Sequence, residues 1–108
     1  MTLNEYQQKA VETAVYGDGD KIIYPTLGLC GEAGEVSDKV KKIIRDKNGV
    51  FDEESKLAIA KEIGDVIWYC AALARDLDSS LEDICSINIE KLKSRQQRGV
   101  IAGSGDDR

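Results

Sequence analysis

The chain has 108 residues, of which 42% are hydrophobic and 6% aromatic, enough for one apolar core and too few for two domains. With 20 acidic residues against 15 basic ones the net charge is -5, which excludes a general nucleic-acid-binding surface, because phosphate contacts need a basic face. No apolar run approaches the ~20 residues that span a bilayer, and Met1-Thr2-Leu3-Asn4-Glu5 lacks the basic-then-apolar layout of a signal peptide, so a cytoplasmic protein with no membrane partner is expected.

The spacing predicts a first helix from about Asn4 to Tyr16, with Tyr6, Ala10, Val11 and Ala14 on its inner side. Gly17-Asp18-Gly19-Asp20 ends it, since Gly and Asp favour turns. A second helix starts near Thr26, after the single proline Pro25, and runs to about Lys47, where Asn48-Gly49 stops it. Asp52 is the expected N-cap of a third helix reaching about Asp76, with Glu53 and Glu54 in its first turn. Ser79 with Glu82 reads as a capping box for a fourth helix, which lasts to about Gln97. Residues 97–108 have no period and read as a loop or tail. No segment alternates as a strand would. The expected fold is all-α, a four-helix bundle-like arrangement in a single domain over residues 1–108.

Cys30, Cys70 and Cys85 are odd in number, far apart and set among helical apolar positions. Without Cys-x-x-Cys spacing a zinc site is not expected, and the three read as reduced, buried thiols acting as small hydrophobes.

Helices two and three resemble each other at an offset of 30 residues, with Glu32-Ala33-Gly34-Glu35-Val36 aligned on Glu62-Ile63-Gly64-Asp65-Val66. At about 100° per residue, Leu29, Ala33, Val36, Val40, Ile43 and Ile44 form one apolar stripe. Ile59, Ile63, Val66, Cys70 and Leu73 form its counterpart. Glu32 and Glu62 lie at the edge of these stripes, with Glu35 and Asp65 close by. An antiparallel pairing of the stripes would bring four carboxylates around one space. Gly34 and Gly64 each cost about 1 kcal/mol against Ala inside a helix, which suggests close approach by a ligand or a neighbouring helix.

On pattern alone two readings stand: ordinary boundary charges, or a metal site. A pair at i, i+3 projects both carboxylates the same way, and four of them would repel unless cations or protons intervene. All-oxygen ligands select Mg²⁺ or Mn²⁺ over softer metals. A di-iron bundle needs Glu-x-x-His pairs, and the chain has no histidine. On helix four, Leu81, Ile84, Cys85, Ile89 and Leu92 face the core, and Asn88, Lys91 and Arg95 follow one edge. Those three either face phosphate, or divide into a capping Asn and two solvated cations. There is no Gly-x-x-x-x-Gly-Lys-Ser/Thr segment, so a P-loop mechanism is excluded.

Two helical acidic pairs, Glu32-x-x-Glu35 and Glu62-x-x-Asp65, separated by 26 residues, resemble those of the all-α nucleoside triphosphate pyrophosphohydrolases of the MazG type. The run from Asn88 to Arg95 and the ending Gly103-Ser104-Gly105-Asp106-Asp107-Arg108 are similar too. The resemblance implies a MazG fold and Mg²⁺-dependent hydrolysis of a (deoxy)nucleoside triphosphate to the monophosphate and pyrophosphate, a house-cleaning role for non-standard nucleotides among them. By position it makes Glu32, Glu35, Glu62 and Asp65 the metal ligands and catalytic acids, and Asn88, Lys91 and Arg95 the phosphate contacts. It also implies a small-molecule nucleotide substrate and a homodimer or homotetramer. Trp68, Tyr69 and Tyr24 are candidates to stack on a base, although Trp68, opposite the acidic arc, reads first as a packing or interface residue. The alternative is a non-catalytic helical oligomer or regulatory partner whose acidic cluster is a cation-stabilised staple.

Overall fold

In the computed structural model of the chain, which describes residues 1–108, four helices follow one another with no strand: α1 Leu3–Val11, α2 Ile23–Asp46, α3 Glu53–Asp76 and α4 Leu81–Gln97. A short 3₁₀ turn, Asp18–Asp20, sits in the α1–α2 connection. No helix is long and apolar enough to cross a membrane.

The 30-residue repeat is carried into the fold. α2 and α3 are both 24 residues long and begin and end at equivalent positions. Residues 21–40 and 51–70 have the same sequence of buried, half-buried and exposed positions throughout. Even the exits match: Asn48 and Asp78, 30 apart, both adopt a left-handed backbone after their helices, which Asn and Asp tolerate best among non-glycine residues. The two helices pack antiparallel, as the contacts of Gly28 with Tyr69 and of Lys47 with Ser55 show.

α1 and α4 cover the C-terminal half of α3. Ala10, Ala71, Ala74 and Leu81 are the buried centre, with Tyr6, Trp68 and Cys70 packed against them. Gln7, itself buried, staples this corner: its amide donates to the carbonyls of Ala71 and Ser79, and its side-chain oxygen accepts from the N–H of Leu81 at 2.9 Å. A buried amide with all of these partners satisfied rigidifies the α3–α4 turn.

Several helix bounds differ from those the sequence predicts. α1 stops at Val11, and a turn closed by Thr13 and Ala14 follows, so Ala14 is not part of its inner face. α2 starts before Pro25, which sits buried in the first turn; its missing N–H would have had no intrahelical partner there. Asp52 caps α3 as expected, accepting from the Ser55 N–H at 2.8 Å. The cap of α4 is Ser80, bonded to the Asp83 N–H, one residue later than the predicted Ser79–Glu82 box, because Ser79 is taken up in the α3 exit by its N–H bond to the Ala74 carbonyl.

The largest correction concerns what is buried. Only 10 of 108 residues are buried, and the radius of gyration is 16.8 Å against about 13 Å for a compact chain of this size. On α4 Leu81 is buried, but Ile84, Cys85, Ile89 and Leu92 are exposed, because that face extends past the short α1. The three cysteines are free thiols, but Cys30 and Cys85 are exposed and Cys70 is half-buried, so they are not the buried hydrophobes expected.

Candidate metal centre

The acidic pairs stand on the uninterrupted helical middle of α2 and α3, where the paired helix fixes their direction. α2 is rotated relative to the predicted stripe: Leu29, Glu32, Val36, Lys39, Val40 and Ile43 turn inward or half-inward, whereas Ala33 and Ile44 face out. α3 follows with Ile59, Glu62 and Val66 half-buried and Ile63 exposed. Glu32 and Glu62 therefore occupy the seam itself rather than its edge.

Carboxylate oxygens of Glu32, Glu62 and Asp65 lie within 4.8 Å of one another. Glu35, the fourth expected ligand, is exposed and outside this group, although its charge still acts on Glu32. Burial and the charges of Asp65 and Glu62 push the Glu32 carboxyl above its ordinary range, and a side-chain hydrogen bond with Glu62 adds to the rise. Three carboxyl groups this close repel one another, and a divalent cation seated between them would relieve that repulsion. Their donor set is all oxygen with no histidine or thiolate among them, which suits a hard divalent cation.

The two halves of the repeat diverge around this centre. Beside Glu62 stands Lys39, with Nζ 3.9 Å from the carboxylate. The residue equivalent to Lys39 on α3 is Tyr69, which lies beside Glu32. Together with Asp65 and Trp68 these two line an open cleft of about 350 Å³. Burial and the neighbouring Tyr24 push the Tyr69 phenol up. Tyr24 itself stacks on Tyr16 at 4.9 Å and meets Tyr69 at 6.3 Å, while Trp68 stands edge-on to Tyr69 at 4.9 Å. Trp68 has the packing role expected of it, donating its indole N–H to Thr13 Oγ1 at 2.8 Å and to the Ala10 carbonyl. Its ring edges the acidic cleft as well, which its position on the helical wheel did not suggest.

No neighbouring helix of the chain closes on Gly34 or Gly64: a Cβ at either would meet no protein atom within 4 Å. The close approach is at Gly28, where a Cβ would overlap the Tyr69 ring. The signal was in the repeat, because Gly28 stands where the other helix has Ala58.

On α4, Asn88 is exposed, Lys91 half-buried and Arg95 buried. None of the three hydrogen-bonds or ion-pairs with the four acids. Lys91 and Arg95 are instead met by the chain's own C-terminal segment, through Asp106.

The profile of the MazG nucleotide pyrophosphohydrolase domain matches residues 25–100. The chain is 50% identical over 114 residues to "Gene 37 protein" of Mycobacterium phage L5, with 100% of both chains covered. No solved structure matches it.

Proposed function

The chain belongs to the MazG nucleotide pyrophosphohydrolase domain family, and we propose that it hydrolyses a (deoxy)nucleoside triphosphate to the monophosphate and pyrophosphate with Mg²⁺. One observation carries this reading: three carboxylates from two helices converge within 4.8 Å beside a cleft walled by Tyr69 and Trp68.

Glu32, Glu62 and Asp65 would hold Mg²⁺, with Mn²⁺ as a substitute, and Glu35 would join them or act on a water between them and the substrate. When bound, the cation supplies neutralisation of phosphate charge and a lower pKa for water. The protein residues do the rest. One of the four carboxylates, left free of the cation, would orient or deprotonate the attacking water. Tyr69, pinned on Gly28 and flanked by Trp68 and Tyr24, offers a flat apolar surface for a base, with stacking worth about 1–3 kcal/mol. Lys91 and Arg95, with Asn88, would contact phosphates.

We read residues 1–108 as one catalytic domain that assembles as a homodimer or homotetramer. Ile44, Ile63, Ile84, Ile87, Ile89 and Leu92 are each at least two-fifths exposed in the single chain, and four of them stand on α4, the face we assign to contact between copies.

The test is a panel of nucleoside triphosphates with Mg²⁺, following pyrophosphate and orthophosphate separately. Pyrophosphate as first product from at least one nucleotide supports the reading. Orthophosphate first would place attack at the γ-phosphate instead. No turnover of any nucleotide, with Mg²⁺ only raising the melting temperature, would favour the cation-stapled binding protein.

A further inference from the structure

The C-terminal segment folds back on α4 and closes on itself. Arg108 donates to the carbonyls of Val100 at 3.1 Å, Gly105 at 2.6 Å and Ile101 at 2.7 Å, turning residues 100–108 into a knot. This knot is moored to α4 by Arg95, whose Nη2 donates to the Asp106 carbonyl at 2.5 Å and more weakly to that of Gly105. The Asp106 side chain then lies over both α4 cations, with Oδ1 3.4 Å from Lys91 Nζ and 3.7 Å from Arg95 Nη2.

The two parts of this contact differ in quality. The backbone mooring is short. The carboxylate contact is long, since charge-assisted N–H···O⁻ bonds run at about 2.7–2.9 Å, and the Asp106 side chain is 87% exposed. The cation seat is also under-filled. The Arg95 side chain is only 8% exposed, yet its Nε is buried with no hydrogen-bond partner. A guanidinium presents a fork of donors that a tetrahedral oxyanion fills in pairs; here the two carbonyls and the distant carboxylate oxygen all meet Nη2, and Nε has no partner.

We infer that Asp106 is a tethered stand-in for a substrate phosphate, seated on Lys91 and Arg95, and that a phosphate group displaces it while the Arg95-moored backbone stays in place. The segment is then a latch that phosphate must open, and it keeps two cations of an acidic protein paired between turnovers. This rests on Lys91 and Arg95 being phosphate contacts, as proposed above.

The experiment is calorimetric binding of inorganic pyrophosphate, in Mg²⁺ buffer, to the full-length wild type and to Asp106→Asn, Asp107→Asn and Lys91→Gln. Asp106→Asn removes the competing charge but keeps the carbonyl that Arg95 holds. It is expected to bind pyrophosphate about two- to five-fold more tightly, the factor that an exposed ion pair corresponds to. Asp107→Asn changes the net charge equally at an exposed residue with no ion pair and should leave binding unchanged; an equal gain there would reduce the effect to bulk charge and overturn the latch. Weakened binding in Lys91→Gln without a gain in Asp106→Asn would keep the phosphate row and sink the latch. Wild-type binding in Lys91→Gln, or no binding in any of the four proteins, would overturn both.

Discussion

The ring of Tyr69 fills the space beside Gly28 that a side chain on α2 would otherwise take. That contact sets one wall of the cleft containing Glu32 and Asp65. Gly28→Ala should push the ring out of place. Overpacking costs about 1–3 kcal/mol, against a helix-propensity gain of up to about 1 kcal/mol. The expected result is a net stability loss of about 1 kcal/mol by chemical denaturation, with a raised KM for nucleotide.

The three clustered carboxylates repel one another, so removing one should help the metal-free fold and harm the proposed reaction. Asp65→Asn is expected to raise the Tm in EDTA, to abolish the further rise on adding Mg²⁺, and to lower kcat at least about 100-fold, the scale of a lost acid–base or charge-stabilising group. Unchanged turnover would remove Asp65 from the site.

Glu32 gives a pH dependence whose sign is fixed. Its folded pKa is raised by burial and by Asp65 and Glu62, so the native state binds the proton more tightly than the unfolded chain. Stability must then fall as pH rises from the ordinary glutamate value through the raised one. In EDTA, wild type should lose Tm over that window relative to Glu32→Gln, and saturating Mg²⁺ should flatten the difference.

Asp76 acts in the opposite sense. Burial alone would raise its pKa, but hydrogen bonds from the Ile22 N–H, Tyr16 and Arg75 outweigh it and hold the carboxyl below its ordinary value. Its side chain is fully buried, with Tyr16 Oη at 2.9 Å and the Ile22 nitrogen at 3.0 Å. The Ile22 bond fixes a β-branched residue at φ 67°, a conformation such residues rarely adopt. Stability from Asp76 is present above the unfolded aspartate pKa and is lost as pH falls through its depressed folded value. Asp76→Ala should cost about 1–3 kcal/mol at neutral pH, and less in acid, measured by urea denaturation.

Ile87 is 65% exposed on α4, so a charge there should spare the protomer fold. If α4 is an interface between copies, Ile87→Glu should shift the sedimentation profile towards monomer at micromolar concentration while the circular dichroism stays helical. A wild type that sediments as a monomer would remove the assembly proposal.

By itself the sequence determined the all-α class, the paired long helices and their internal repeat. Those properties are local: apolar periodicity, the Asp52 cap and the Asn48-Gly49 stop act within a few residues. The register of Glu32 on Glu62 was legible for the same reason, since a 30-residue offset copies position on a helix as well as residue type. What tertiary structure decided is which way each helix turns about its axis and what meets it there. That rotation brought Glu32, Glu62 and Asp65 together and left Glu35 outside, turned Ala33, Ile44 and Ile63 to the surface, and laid Tyr69 on Gly28. It also set α1 against only the start of α4, through Gln7 and Asn4, which left Cys85 and much of the α4 face exposed. The contact of Asp106 with Lys91 and Arg95 was equally out of reach, because the tail has no periodicity and its position is set by hydrogen bonds from Arg95 and Arg108 to backbone carbonyls. A helical wheel gives one helix's faces; which face is buried depends on the neighbours, and those contacts are long-range in the chain.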